Sequence, residues 1–158
     1  MDDATERKEP VTRSDAAIAL GALDGFIGFH LRLAQTASFK AFKRHTGEHD
    51  LRPGWFAVMT LISLNPGITP MALSRASGRD KSTITPVLRS LEQRALVERM
   101  AVAGDRRSYA LILTAAGQEM LDRLTEHARA HDRQLDAIVG KDKPQLIALL
   151  RRIATEVD

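Results

Sequence analysis

Between Asp80 and Thr114 the chain reads DKSTITPVLRSLEQRALVERMAVAGDRRSYALILT, and few folds accommodate that run. Ile84, Val87, Leu88 and Leu91 recur at spacings of three and four, which predicts a helix with one buried face. Ser82, Thr83, Thr85 and Arg89 are left for the outer face. Two short strands are expected next, Val97–Val102 and Tyr109–Leu113, joined by the segment from Ala103 to Ser108. Gly104-Asp105 supplies turn chemistry there, with Arg106 and Arg107 side by side at the tip. A helix of major-groove width beside a basic loop able to reach a minor groove is an arrangement for reading duplex DNA.

The flanking sequence supplies the rest of such a unit. Arg52-Pro53 opens a helix, proline being suited to a first turn, and it continues through Trp55, Val58, Met59, Leu61 and Ile62 to the stop Asn65-Pro66-Gly67. Thr69 caps a short helix, Pro70 to Ala76, and Ser77-Gly78-Arg79 turns the chain into the helix beginning at Asp80. Helix, short turn, helix is the helix-turn-helix arrangement.

Residues 1–13 are polar and read as a disordered tail. A long helix is expected from Ser14 to Arg44, with Leu23, Ile27 and Leu31 in one apolar row. Gly21, Gly25 and Gly28 lie within it, each costing about 1 kcal/mol relative to alanine. They signify either a weakened or broken helix, or a close helix–helix approach or a cavity beside the glycines. Thr114 caps a helix running to about Val139, with Met120, Leu121, Leu124, Ala128, Leu135 and Ile138 along one seam. Gly140 ends it, and Asp142 starts a last helix carrying Ile147, Leu150 and Ile153. Apolar stripes on terminal helices must be buried. One compact globule could do that internally; interleaving the first and last helices of two chains suits long thin helices better, and a two-fold protein suits a pseudo-palindromic DNA site.

Charge is unevenly placed. The net charge is +3, yet residues 68–114 alone hold eight basic and four acidic side chains. The excess lies where attraction to a polyanion needs it, although a solvated basic surface is the blander explanation. With no cysteine, disulfides and thiolate chemistry are excluded. No signal peptide or bilayer-length apolar run is evident, so a soluble, cytoplasmic protein without membrane contact is expected. No nucleophile elbow, phosphate loop or HExxH motif occurs, and neither catalysis nor a cofactor is expected. His127 and His131 are four apart, half a metal site at best; ordinary polar positions near a helix seam are the alternative, and no metal is expected.

From Asp105 to Gly117 the sequence fits D-x-R-x-x-x-L-x-L-T-x-x-G. With Lys81-Ser82-Thr83-Ile84-Thr85 and Leu91-Glu92-Gln93-Arg94-Ala95-Leu96-Val97 upstream, it resembles the multiple antibiotic resistance regulator (MarR) family of winged-helix transcription factors over roughly residues 14–157. The resemblance implies a mainly α fold: four helices, a two-stranded wing and two more helices. Residues 49–114 would form the winged helix-turn-helix, and residues 14–48 and 115–158 a helical dimerisation region. It implies a homodimer, usually a repressor, released from double-stranded DNA by a small effector, often an aromatic acid or phenolic compound. The wing arginine and the aspartate orienting it fall on Arg107 and Asp105. Two positions depart from the family pattern. Pro86 stands where many members carry a basic residue, and Ala95 where glycine usually ends the helix.

The expected DNA contacts are thus Arg75, Arg79, Lys81, Ser82, Thr83, Thr85, Arg89, Asp105, Arg106 and Arg107. Arg75 and Arg79 suit phosphates rather than bases. Ser82, Thr83 and Thr85 could instead be capping and turn residues, since Asp80 and Ser82 both suit a helix start. For the effector the resemblance points to Phe26, Phe29, His30, Phe39, Arg52, Trp55 and Met59, although aromatics at helical spacing are more often core. Arg52 would suit a carboxylate. Lys40, Lys43 and Arg44 could hold a phosphorylated ligand such as an acyl-coenzyme A, or form a solvated face or a DNA flank contact. A nonspecific architectural DNA-binding protein is the second reading.

Overall fold

Three side chains set where helices begin. Thr69 Oγ1 accepts from Ala72 N at 3.3 Å, Asp80 Oδ1 from Thr83 N at 2.8 Å, and Thr114 Oγ1 from Gly117 N at 2.9 Å. Each supplies an acceptor to a first-turn N–H that has no partner within its helix. The computed structural model describes residues 18–46, 53–102 and 105–157. Its elements are α1 (Ile27–Thr46), α2 (Pro53–Leu64), α3 (Pro70–Ser77), α4 (Lys81–Gln93), β1 (Val97–Val102), β2 (Asp105–Leu113), α5 (Ala115–Val139) and α6 (Lys143–Glu156). The packing divides after Gln35 into two units.

In the first unit the single long helix expected from Ser14 is interrupted. Gly21–Gly25 form a 3-10 turn, and Phe26 is extended (φ −94°, ψ 116°) before α1 starts. Gly21, at φ +55°, sits in the left-handed region that glycine tolerates. The broken-helix alternative is therefore the observed one. A Cβ built on Gly25 or Gly28 meets no described atom of this chain within 4 Å.

The second unit is built on one core. Trp55, Val58, Met59 and Ile62 of α2 meet Leu73 of α3, Ile84, Leu88 and Leu91 of α4, Leu111 of β2, and Leu121 and Leu124 of α5. β1 and β2 pair antiparallel from Val97↔Leu113 to Ala101↔Tyr109, then shift register so that Val102 faces Asp105. Ile68 adds a short bridge: Leu111 N donates to Ile68 O at 3.0 Å and Gly67 N to Leu111 O at 2.9 Å. Strand β2 starts four residues earlier than the sequence suggested. Asp105 pairs with Val102, while residues 106–108, turn-like in composition, fall in the irregularity between the pairs Ala101↔Tyr109 and Val102↔Asp105.

The turn from α4 into β1 has the hydrogen bonds of a Schellman cap. Leu96 N donates to Leu91 O and Ala95 N to Glu92 O, both at 2.9 Å. Ala95 lies at φ +54°, the one positive φ outside glycine among the described residues. Thr114 clamps the turn, its Oγ1 donating to Ala95 O at 2.7 Å and its N donating to Leu96 O at 3.1 Å. Gly117 then passes so close that a Cβ there would lie 2.0 Å from Leu96 O. The L-x-L-T-x-x-G run is thus a welded joint between the α4 exit and the α5 entry.

Candidate nucleic-acid interface

Helix α4 presents two different faces because its sequence alternates on a helical period. Ile84, Leu88 and Leu91 are buried, whereas Lys81, Ser82, Thr83, Thr85, Pro86 and Arg89 are exposed. The fold therefore places the five expected α4 contacts on one accessible surface. Its start is firmly anchored. Besides the Thr83 N–H, Asp80 accepts from Ser82 Oγ at 2.6 Å. The Ser82 hydroxyl first, and the Thr83 backbone next, hold the Asp80 carboxyl below the usual carboxylate range. The capping role thus belongs to Asp80, with Ser82 as its donor. Thr85 Oγ1 donates to Lys81 O at 2.7 Å, a local back-bond common for helical threonines.

Arg75 is exposed on α3 and Arg79 is half-buried in the turn before α4. The Arg79 guanidinium is directed at Gly54 in the first turn of α2, with Nη1 3.0 Å from where a Gly54 Cβ would stand. Ser74 Oγ fixes the Arg79 carbonyl at 2.5 Å. Thr69, Met71, Arg75, Lys81, Thr85 and Tyr109 border a cleft of about 490 Å³ between α3, α4 and β2.

Two arginines counted in the basic excess are engaged by the fold itself. Arg99 Nε and Nη2 reach the Glu92 carboxylate at 2.5 and 2.7 Å, while its guanidinium lies 4.2 Å from the Tyr109 ring centre. This bidentate pair, chiefly through its hydrogen bonds, raises the Arg99 pKa further. Arg94 lies 5.2 Å over the Trp55 ring. Sequence reasoning missed the Glu92–Arg99–Tyr109 bracket, which ties α4 to the hairpin. The β1–β2 register sets Tyr109 diagonally across from Arg99, and the turn at Ala95 brings Glu92 of α4 to them.

For the hairpin, Asp105, Arg106 and Arg107 are placed as the opening of β2 rather than as a loop. The expected turn residues Ala103 and Gly104 lie outside the described residues.

The expected effector residues scatter. In the first unit His30 Nε2 lies 2.7 Å from Asp24 O, and Phe29 meets the His30 ring edge-on at 5.6 Å; Phe26 is exposed. In the second, Phe39 is 53% exposed, whereas Trp55 and Met59 are at 1% and 0% and belong to the core of α2. Those two have no surface to offer a ligand in this state: both follow the inward row of α2. Arg52 lies outside the described residues. Lys40, Lys43 and Arg44 are exposed on α1. His131 is buried, with Nε2 2.9 Å from Ser38 Oγ and its ring edge-on to Phe42. His127 lies half-buried one turn earlier. Among the described residues no group of three or more His, Asp or Glu could hold a metal ion, and no helix is long and apolar enough to cross a membrane.

The MarR family model matches residues 51–109, the span from the start of α2 to the middle of β2. A transcriptional regulatory protein for the hcr operon of Thauera aromatica is 33% identical over 149 residues, covering 93% of this chain and 90% of that protein. The transcriptional regulator HosA of Escherichia coli is 38% identical over 85 residues, 51% of this chain and 63% of that one. Among solved structures, the transcriptional repressor CouR bound to a 23-mer DNA duplex superposes with a TM-score of 0.79 at 30% identity, over 88% of this chain and 99% of that one. CouR bound to p-coumaroyl-CoA gives 0.79 at 27% identity, over 89% and 99%. The chain belongs to the MarR family of winged-helix transcriptional regulators.

Proposed function

We propose that this protein is a ligand-responsive repressor that binds a pseudo-palindromic operator as a homodimer and leaves it when a small effector binds. The observation that carries the reading is the outer face of α4, where Lys81, Ser82, Thr83, Thr85 and Arg89 stand together beside an arginine-bearing hairpin. That face offers positive charge for phosphates and hydroxyls for base edges. CouR, seen on a DNA duplex, shares the fold at 30% identity.

The homodimer is supported by apolar surface. Leu23, Ile27 and Leu33 in the first unit, and Leu146, Leu149, Leu150 and Val157 at the other end of the chain, are exposed. Surface of that kind marks an association site. The functional division follows: residues 14–48 and 115–158 for pairing, and residues 49–114 for DNA. The effector is of the aromatic-acid or acyl-coenzyme A class. CouR with p-coumaroyl-CoA supports the thioester form, and the Lys40, Lys43 and Arg44 cluster on α1 suits its phosphates. An effector that favours a dimer with misplaced reading heads lowers DNA affinity by population shift.

The test is a competition titration. A labelled fragment from the gene's own promoter region is bound at physiological salt and challenged with random duplex, then with aromatic acids and their coenzyme A thioesters. The repressor reading expects promoter DNA to win by three or more orders of magnitude and one effector class to release it. Equal affinity for both duplexes supports the architectural reading instead.

A further inference from the structure

The middle of the α4 outer face carries almost no hydrogen-bond donor. Ser82 Oγ gives its proton to Asp80, at 2.6 Å, and Thr85 Oγ1 gives its proton to Lys81 O, at 2.7 Å. Pro86 lies inside the helix, exposed, with no N–H to offer the Ser82 carbonyl four residues back. What remains there is a set of oxygen acceptors and the pyrrolidine ring. With the stems of Lys81 and Arg89, Pro86 borders a shallow depression on this face whose surface is almost wholly apolar.

A base pair meeting that surface in a major groove must match it. A G·C pair presents the cytosine N4 amino donor but also two guanine acceptors, O6 and N7, which find no donor in the middle of the face, and it has no methyl group to seat against the ring. An A·T pair presents the thymine C5-methyl, an apolar group, and the adenine N6 amino group, a donor. We infer that Pro86 makes the middle of α4 a reader of thymine, seating the C5-methyl against its ring while the Ser82 and Thr85 oxygens face the adenine side. The inference rests on the DNA-reading role proposed above and adds a base preference to it.

Replacing thymine by deoxyuridine removes the methyl group and nothing else. Each thymine of the bound promoter fragment is exchanged in turn, and affinity is measured by fluorescence anisotropy. One position in each half-site is expected to lose about fourfold, and about fifteenfold when both half-sites are changed, as one buried methyl implies. Pro86→Gln restores the N–H and removes the apolar ring, and a helix interior accepts glutamine readily. In that variant, checked for helix content by circular dichroism, the uracil penalty disappears at the same position. A uracil scan that is flat at every thymine, or a penalty retained by Pro86→Gln, overturns the inference while leaving DNA binding intact. Failure of the wild-type chain to bind any duplex at low salt overturns both readings together.

Discussion

Gly117→Ala places one methyl group where the fold has no room for it. The new Cβ would lie 2.0 Å from Leu96 O, 3.0 Å from Leu96 C and 3.4 Å from Leu96 Cα. Relief needs roughly 1 Å or more of movement between backbones. Leu96 resists it: its N–H is bonded to Leu91 O, its carbonyl accepts from Thr114 N, and its side chain is in the core. Moving α5 instead would pull Gly117 N from the Thr114 cap. Forced overpacking costs about 1–3 kcal/mol and sometimes more, while alanine in a helix returns at most about 1 kcal/mol. The expected net loss is about 2 kcal/mol, or about 4–8 °C in Tm for a chain of this size. Urea denaturation at fixed protein concentration measures it as a lower midpoint with an unchanged slope. Ala116→Gly, one residue earlier and exposed, is the control, since it probes helix propensity in the same turn without the clash. A Gly117→Ala protein as stable as wild type would refute the reasoning, because the joint would then be shown to yield freely.

Ala95→Gly should act in the opposite direction: relieving a left-handed alanine is worth about 1–2 kcal/mol, set against up to about 1 kcal/mol of added chain entropy, so the urea midpoint should rise. Asp80 has a folded pKa depressed below 3.8, so its cap contributes fully above that value and fades as pH falls through the folded pKa; Asp80→Asn keeps the acceptor and should flatten that acid limb in pH-dependent thermal unfolding. Arg99→Met should leave the core intact but loosen the hairpin from α4, read as faster amide exchange in β1 and β2 than in α2. Arg107→Ala should weaken promoter binding strongly with little change in Tm, measured by anisotropy beside a melting curve.

Much of this molecule was legible in its residues, and the reasons are local. Caps at Thr69, Asp80 and Thr114 announce themselves by residue type, and the α4 core row by its period. The exposed face of α4 followed from that same period. What could not be read depended on contacts distant in sequence. Arg99 looked like one more surface cation until the Ala95 turn brought Glu92, and the β1–β2 ladder Tyr109, to it. Trp55 and Met59 fit either a core or a pocket by sequence, because a large apolar residue on a helix carries no mark of whether its neighbours leave a gap; here both are buried in the core of α2. The break at Phe26 was open to either interpretation, since glycines record permission for a conformation rather than the conformation chosen. Residues 105–108 read as a loop because their composition is turn-like, and residues 106–108 sit in an irregular stretch of the ladder that no alternation in the sequence announces.

The central claim is that the outer face of α4 meets DNA. It is tested most directly by the salt dependence of promoter binding for wild type, Lys81→Ala and Arg89→Ala. If these cations meet phosphates or bases, each variant should bind more weakly. A lost phosphate contact should also shrink the slope of log affinity against log salt by about one per protomer. Wild-type affinity and wild-type slope in both variants would contradict the account.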